Sequence, residues 1–88
     1  MLHSGIAVYP NPVTDKKVNL EIKNLVKGNY SVLVTTTAGQ QVMATTIQHN
    51  KENETFTMDL PSTITAGGYQ LRVTGRDGTV HTLKLIVE

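Results

Sequence analysis

The sequence predicts an all-β fold, an immunoglobulin-like antiparallel β-sandwich of about seven strands. Apolar and polar residues alternate through most of the 88-residue chain, and on a strand such alternation places the apolar side chains on one face. Residues that favour turns recur about every ten residues, and no segment has the apolar spacing of an amphipathic helix. A small β-barrel is the alternative arrangement of the same strands.

The candidate strands share one pattern, in which every second residue faces the core. The short run IAVY comes first. The core-facing residues of the later strands are Val18, Leu20 and Ile22; Tyr30, Val32 and Val34; Phe56, Met58 and Leu60; Tyr69, Leu71 and Val73; and Leu83, Leu85 and Val87. The run QVMATTIQ is less regular, because Val42 and Ile47 have opposite parity. A β-bulge or bend between them would turn both inward.

Glycine-containing turns connect several of these strands. They are Lys27-Gly28-Asn29, Ala38-Gly39-Gln40 and Asp77-Gly78. Because Asp77-Gly78 stands between two alternating runs, it predicts a β-hairpin. Residues 49–53 and residues 61–68 are predicted to be loops.

Composition narrows the class of protein. The chain has the length of one domain. It contains no Cys, which excludes disulfides and thiolate metal sites. It also contains no Trp. Eight basic and seven acidic residues give a net charge of +1, so nucleic acid and anionic membranes are not expected partners. The start of the chain does not resemble a signal peptide. We interpret residues 1–5 as a linker or a remnant of cloning and residues 6–88 as the domain.

No residue pattern indicates catalysis. The histidines are scattered: His3 near the start, His49 in a polar loop, and His81 at the edge of the core face. Neither a nucleophile elbow nor a calcium-loop spacing is present in the sequence. We therefore predict no catalytic residue, no metal site and no cofactor. Tyr9 is the one aromatic residue outside the core parity, which argues against a sugar-binding platform.

Two of the three prolines of the chain fall in the run VYPNP. Proline lacks an N–H and holds φ near −65°, and it biases the preceding residue toward extended conformations. Tyr9, Pro10, Asn11 and Pro12 are therefore predicted to form a stiff lead-in that ends the first strand.

Taken in order, VYPNP, VNLEI, NYSVLVTTTAGQQV and TITAGGYQLRVTGRDGTVHTLKLIVE resemble the C-terminal sorting domain of the bacterial type IX secretion system, type A, of the Bacteroidetes. The resemblance covers the chain from about Ile6 onward. The family usually has Leu-Pro directly before Ala-Gly, whereas here Leu60-Pro61 stands several residues earlier.

This resemblance implies a signal and not an enzyme. A cargo protein upstream would reach the periplasm by its own export signal, and the domain would engage the outer-membrane translocation machinery. A sortase-like peptidase would then remove the domain at the cell surface, leaving the cargo at the surface or secreted. The resemblance assigns recognition to Gly67, Gly68, Tyr69, Lys84, Leu85, Ile86, Val87 and Glu88, and it makes Tyr9, Pro10, Asn11 and Pro12 the motif that starts the domain.

Two other functions fit an immunoglobulin-like sandwich. One is a module that binds carbohydrate or protein beside a secreted enzyme, and the other is a structural spacer. The final strand, TVHTLKLIVE, would present an edge that can pair with another protein's strand. The same edge predicts a strand-mediated dimer of the isolated domain.

Overall fold

The computed structural model describes residues 5–9 and 12–88, which fold as strands and turns without a helix. The strands are β1 (Gly5–Tyr9), β2 (Lys17–Lys23), β3 (Gly28–Thr36), β4 (Gln41–His49), β5 (Asn53–Asp59), β6 (Gly67–Thr74) and β7 (Val80–Val87). They form two antiparallel sheets, one in the order β1-β2-β5 and the other in the order β4-β3-β6-β7. The predicted sandwich of about seven strands is therefore confirmed.

The core lies between the two sheets and contains the residues that the alternation places inward. β2, β3, β6 and β7 contribute side chains that are almost fully buried, and Phe56 and Leu83 are half-buried against them. The loop between β5 and β6 adds Ile64, which is 8% exposed. Sequence alternation does not reveal this residue, because it lies outside any strand.

The predicted irregularity of β4 is a β-bulge. Val34 on β3 pairs with Met43, but the next residue, Thr35, pairs with Gln41. Val42 is thus the extra residue, and the bulge lets both Val42 and Met43 pack against the core.

The predicted hairpin at Asp77-Gly78 joins β6 and β7. The Gly78 N–H donates to the Gly75 carbonyl at 3.0 Å, and the Thr79 N–H donates to Asp77 Oδ1 at 3.1 Å. Gly78 has φ +87°, a conformation that glycine adopts without a steric cost. This turn sets the register of the whole β6–β7 pair.

The sequence prediction for His49 is wrong. It is the last residue of β4 and is fully buried, whereas the sequence pattern places it in a polar loop. Its parity along β4 matches that of Met43 and Ile47, so its ring faces the core. His49 Nδ1 lies 3.3 Å from Glu54 Oε1, and the Tyr30 ring packs edge-on at a centroid distance of 5.9 Å.

Glu54 closes the turn between β4 and β5. Its Oε1 accepts the N–H of Asn50 at 2.8 Å and that of Lys51 at 3.2 Å. The hydrogen bond from the Asn50 N–H does most to hold the pKa of Glu54 below its ordinary value of 4.5, and the contacts with Lys51 and His49 lower this pKa further.

The lowered pKa of Glu54 makes stability depend on acid pH. Its contribution to the free energy of unfolding is present above pH 4.5 and is lost as the pH falls through the lower pKa of the folded state. We expect the Glu54→Gln variant to lose less stability than the wild type over this acid range. Urea unfolding across that range measures the difference.

Asp77→Asn is the matched control for this measurement. Thr79 lowers the pKa of Asp77 from 3.8, so the contribution of Asp77 is present above pH 3.8 and that of Glu54 above pH 4.5. Between pH 4.5 and pH 3.8, Glu54→Gln should therefore flatten the stability profile more than Asp77→Asn does. Identical profiles for the wild type and Glu54→Gln would contradict the role given to Glu54.

Candidate functional site: the β6–β7 end

The two segments to which the resemblance assigns recognition are paired in the structure. Gly67 lies opposite Val87, Gly68 opposite Ile86, and Tyr69 opposite Leu85. The start of β6 and the end of β7 thus form one end of the four-stranded sheet. We call residues 67–69, residues 85–87 and Val13, described next, the β6–β7 end.

Val13 joins this end from the segment after β1. It forms an isolated parallel bridge with Val87. Its N–H donates to the Ile86 carbonyl at 2.7 Å, and its carbonyl accepts the Glu88 N–H at 2.9 Å. Its side chain is completely buried. The segment that follows the VYPNP run therefore crosses to the other sheet and fixes the end of β7.

Sequence reasoning missed Val13. A single apolar residue after Pro12, within a polar stretch, has no neighbours that would reveal an alternating pattern. The described part of β1 runs to Tyr9, and Pro12 is exposed. Pro10 and Asn11 lie outside the described residues, as do residues 1–4.

Several of the assigned recognition residues serve the core. Leu85 is fully buried and Val87 is 3% exposed. The Tyr69 ring is also buried, and its hydroxyl donates to the Thr65 carbonyl at 2.7 Å. Tyr69 therefore anchors the loop that precedes β6.

The backbone requires glycine at one of the two glycine positions at the start of β6 but not at the other. Gly67 has φ +152°, a conformation that other residues rarely adopt. Gly68 has no such constraint, and a Cβ there would meet only Thr37 Cγ2, at 4.0 Å. The fold thus explains Gly67 but does not require glycine at position 68.

The exposed side of this end is formed by alternate residues of β6 and β7. We call Gly68, Gln70, Lys84 and Ile86 the outer face. Gly68 is opposite Ile86, and Gln70 is opposite Lys84. Ile86 is 37% exposed, and a shallow pocket of about 280 Å³ lies beside Gly68 and Lys84. A partner can therefore meet an apolar side chain, a cation and an accessible stretch of backbone here.

Titratable groups do not assemble into a site within the described part of the chain. Residues 5–9 and 12–88 contain no group of three or more His, Asp or Glu side chains placed to hold a metal ion. Over the same residues, no helix is long and apolar enough to cross a bilayer. What the β6–β7 end offers is a surface built from paired strands.

The architecture defines a small immunoglobulin-like sandwich whose last strand is fastened by a segment from near its start. Residues 7–88 match the model of the secretion system C-terminal sorting domain. The chain therefore belongs to this family, the C-terminal sorting signals of the type IX secretion system. No curated protein matches the sequence.

Two solved structures resemble the fold. PorZ, an essential bacterial surface component of the type-IX secretion system of Porphyromonas gingivalis, has a TM-score of 0.67 and 22% identity, over 96% of this chain and 11% of PorZ. The chain thus spans about a tenth of the length of PorZ. CopC from Methylosinus trichosporium OB3b has a TM-score of 0.60 and 21% identity, over 98% of this chain and 94% of CopC. At these identities the likeness concerns the fold.

Membership of the family identifies the general role of the domain. It is a sorting signal, so it interacts with the secretion machinery and acts for an upstream cargo. The protein that carries it is exported to the cell surface or secreted.

Proposed function

We propose that the domain acts without catalysis, and that the secretion machinery recognises it by binding its β6–β7 end. The observation that supports this is the convergence of three separate segments. Gly67 to Tyr69 pairs with Leu85 to Val87, and Val13 binds the main chain of Ile86 and Glu88. These contacts hold the outer face in one geometry, whatever cargo the domain is attached to.

A rigid strand end suits a signal shared by unrelated cargoes. The geometry of such an end does not depend on the cargo sequence, and a few exposed side chains can supply specificity. Ile86 supplies apolar area, and Lys84 lies on the same face two residues earlier. The residues that direct recognition are therefore Gly68, Lys84 and Ile86, while Gly67, Tyr69, Leu85, Val87 and Glu88 hold them in place.

Export of a reporter tests the proposal. Residues 1–88 are fused behind a reporter that is directed to the periplasm of a bacterium with type IX secretion. We expect the reporter to reach the surface or medium, and to stay in the periplasm when the domain is removed or when the translocation machinery is absent. Equal export with and without residues 1–88 would contradict the proposal.

Later steps of the route belong to the same proposal. The cargo first reaches the periplasm by a separate export signal. The domain then engages the outer-membrane machinery, and a sortase-like peptidase removes it at the cell surface. A shorter cargo in the medium than in the periplasm, detected by mass spectrometry, would support removal.

The binding-module and spacer functions make different predictions. A binding module should retain a glycan or a protein, but the ring of Tyr69 is buried and Tyr30 is 4% exposed. A spacer should change the stability of the cargo without changing its location. Location after removal of the domain therefore separates both from a sorting signal.

The predicted dimer through the final strand stays a prediction. Val13 already binds the main chain at Ile86 and Glu88, so a partner strand at that position would have to displace it.

A further inference from the structure

β4 is an edge strand without Lys, Arg, Asp, Glu or Pro. It has nine residues, QVMATTIQH, and it ends the order β4-β3-β6-β7, so among the described strands only β3 pairs with it. Natural proteins usually protect such an edge with charged residues, proline or a β-bulge. The bulge of β4 lies near its start, at Val42, and the last residue, His49, is fully buried, which leaves the regular segment from Met43 to Gln48 for an added strand.

The other edges differ from β4 in ways that disfavour strand addition. β7 carries Lys84 and is bridged by Val13 at Val87. β5 carries Glu54 and Asp59, and the described part of β1, Gly5–Tyr9, has five residues. Among the described strands, β4 is therefore the longest edge template without Lys, Arg, Asp or Glu.

The sandwich is also open beside this edge. A groove of about 470 Å³ runs between β4 and β5. Met43, Ile47 and Phe56 line it, and all of them are only partly buried against the core. A strand added to β4 would cover these apolar side chains.

We propose that a second copy of this chain occupies the edge, by antiparallel pairing of β4 with β4 about a twofold axis at Thr45. On the inner side this register sets Met43 opposite Ile47 of the second copy. On the outer side it sets Ala44 opposite Thr46, both exposed. Because β4 has no Lys, Arg, Asp or Glu, no two of these charged side chains face each other in this register, and on the inner side the apolar Met43 and Ile47 meet.

Self-pairing suits this strand better than a charged partner does. β4 has no Lys, Arg, Asp or Glu that would select a basic or acidic segment. The proposed contact is isologous, so it closes at two copies and joins the two four-stranded sheets into one. This assembly leaves the β6–β7 end, on the opposite edge of the sheet, free for the secretion machinery.

Sedimentation of the 88-residue chain over a range of concentrations tests the dimer. We expect the mass to rise from 9.6 kDa toward twice that value. Ala44→Lys/Thr46→Lys places lysines opposite each other at two positions and should weaken association by about tenfold or more. Ala44→Glu/Thr46→Lys is the matched control, because the same register then faces glutamate with lysine and association should return.

Each outcome decides the proposal. Wild-type chain that remains at the monomer mass at every concentration overturns it, and so does a dimer that the double-lysine variant leaves intact. If the double-lysine variant is monomeric and the glutamate–lysine variant is also monomeric, the register about Thr45 is wrong. Circular dichroism checks that each variant is folded before its association is compared.

Discussion

Leu85→Ala should destabilise the domain by about 2–5 kcal/mol, because it removes a fully buried side chain and leaves a cavity. Leu85 lies opposite Tyr69 in the β6–β7 pair and packs within the central core cluster. An 88-residue domain has a total stability of about 4–13 kcal/mol. The variant should therefore lose a large part of its stability, measurable by urea unfolding.

Leu33→Ala is the matched control for this prediction. Leu33 lies on the outward parity of β3 and is only half-buried, so the same change in chemistry should cost less than about 1 kcal/mol. If both variants lost the same stability, Leu85 would not be the core residue described above. A deletion of residues 84–88 would remove the buried Leu85 and so would change stability as well as recognition.

Val13→Pro should destabilise the domain by about 2–4 kcal/mol, because proline has no N–H to donate to the Ile86 carbonyl and its ring replaces a completely buried side chain. The change should also free the end of β7. Hydrogen exchange at the Glu88 amide reports this directly, since that N–H donates to the Val13 carbonyl. We expect protection of the Glu88 amide to be lost.

Val13→Ala separates the main-chain contact from the packing of the side chain. Alanine keeps both main-chain hydrogen bonds but removes part of a completely buried side chain. It should lower stability by about 1–3 kcal/mol and leave the Glu88 amide protected. A Val13→Pro variant whose Glu88 amide exchanges as slowly as that of Val13→Ala would show that Val13 does not fasten β7.

The strands could be predicted from the sequence because each has one buried face, which imposes alternation on residues such as Val18, Leu20 and Ile22. The pairing of Gly67 to Tyr69 with Leu85 to Val87 could also be predicted from the sequence. The hairpin at Asp77-Gly78 fixes the β6–β7 register, and the register brings these segments together.

Two features could not be predicted in this way. Val13 contacts the other sheet at a single position, so its burial depends on long-range geometry and leaves no periodic signal. His49 stands where a strand becomes a polar loop, and only the observed length of β4 places its ring on the core side. The different requirements at Gly67 and Gly68 likewise depend on a backbone angle that the sequence does not state.

The most direct test of the account compares export of two variants of β7. Ile86→Ser and Val80→Ser each replace an exposed aliphatic residue, 37% and 52% exposed, on the same face of the strand. Only Ile86 belongs to the β6–β7 end. Each variant is fused behind the periplasmic reporter, and thermal unfolding checks that it is folded. Ile86→Ser should reduce export by about tenfold, which corresponds to a loss of roughly 1.4 kcal/mol in the binding free energy to the machinery. Val80→Ser should be exported like the wild type. Equal export of the two folded variants would contradict recognition at the β6–β7 end.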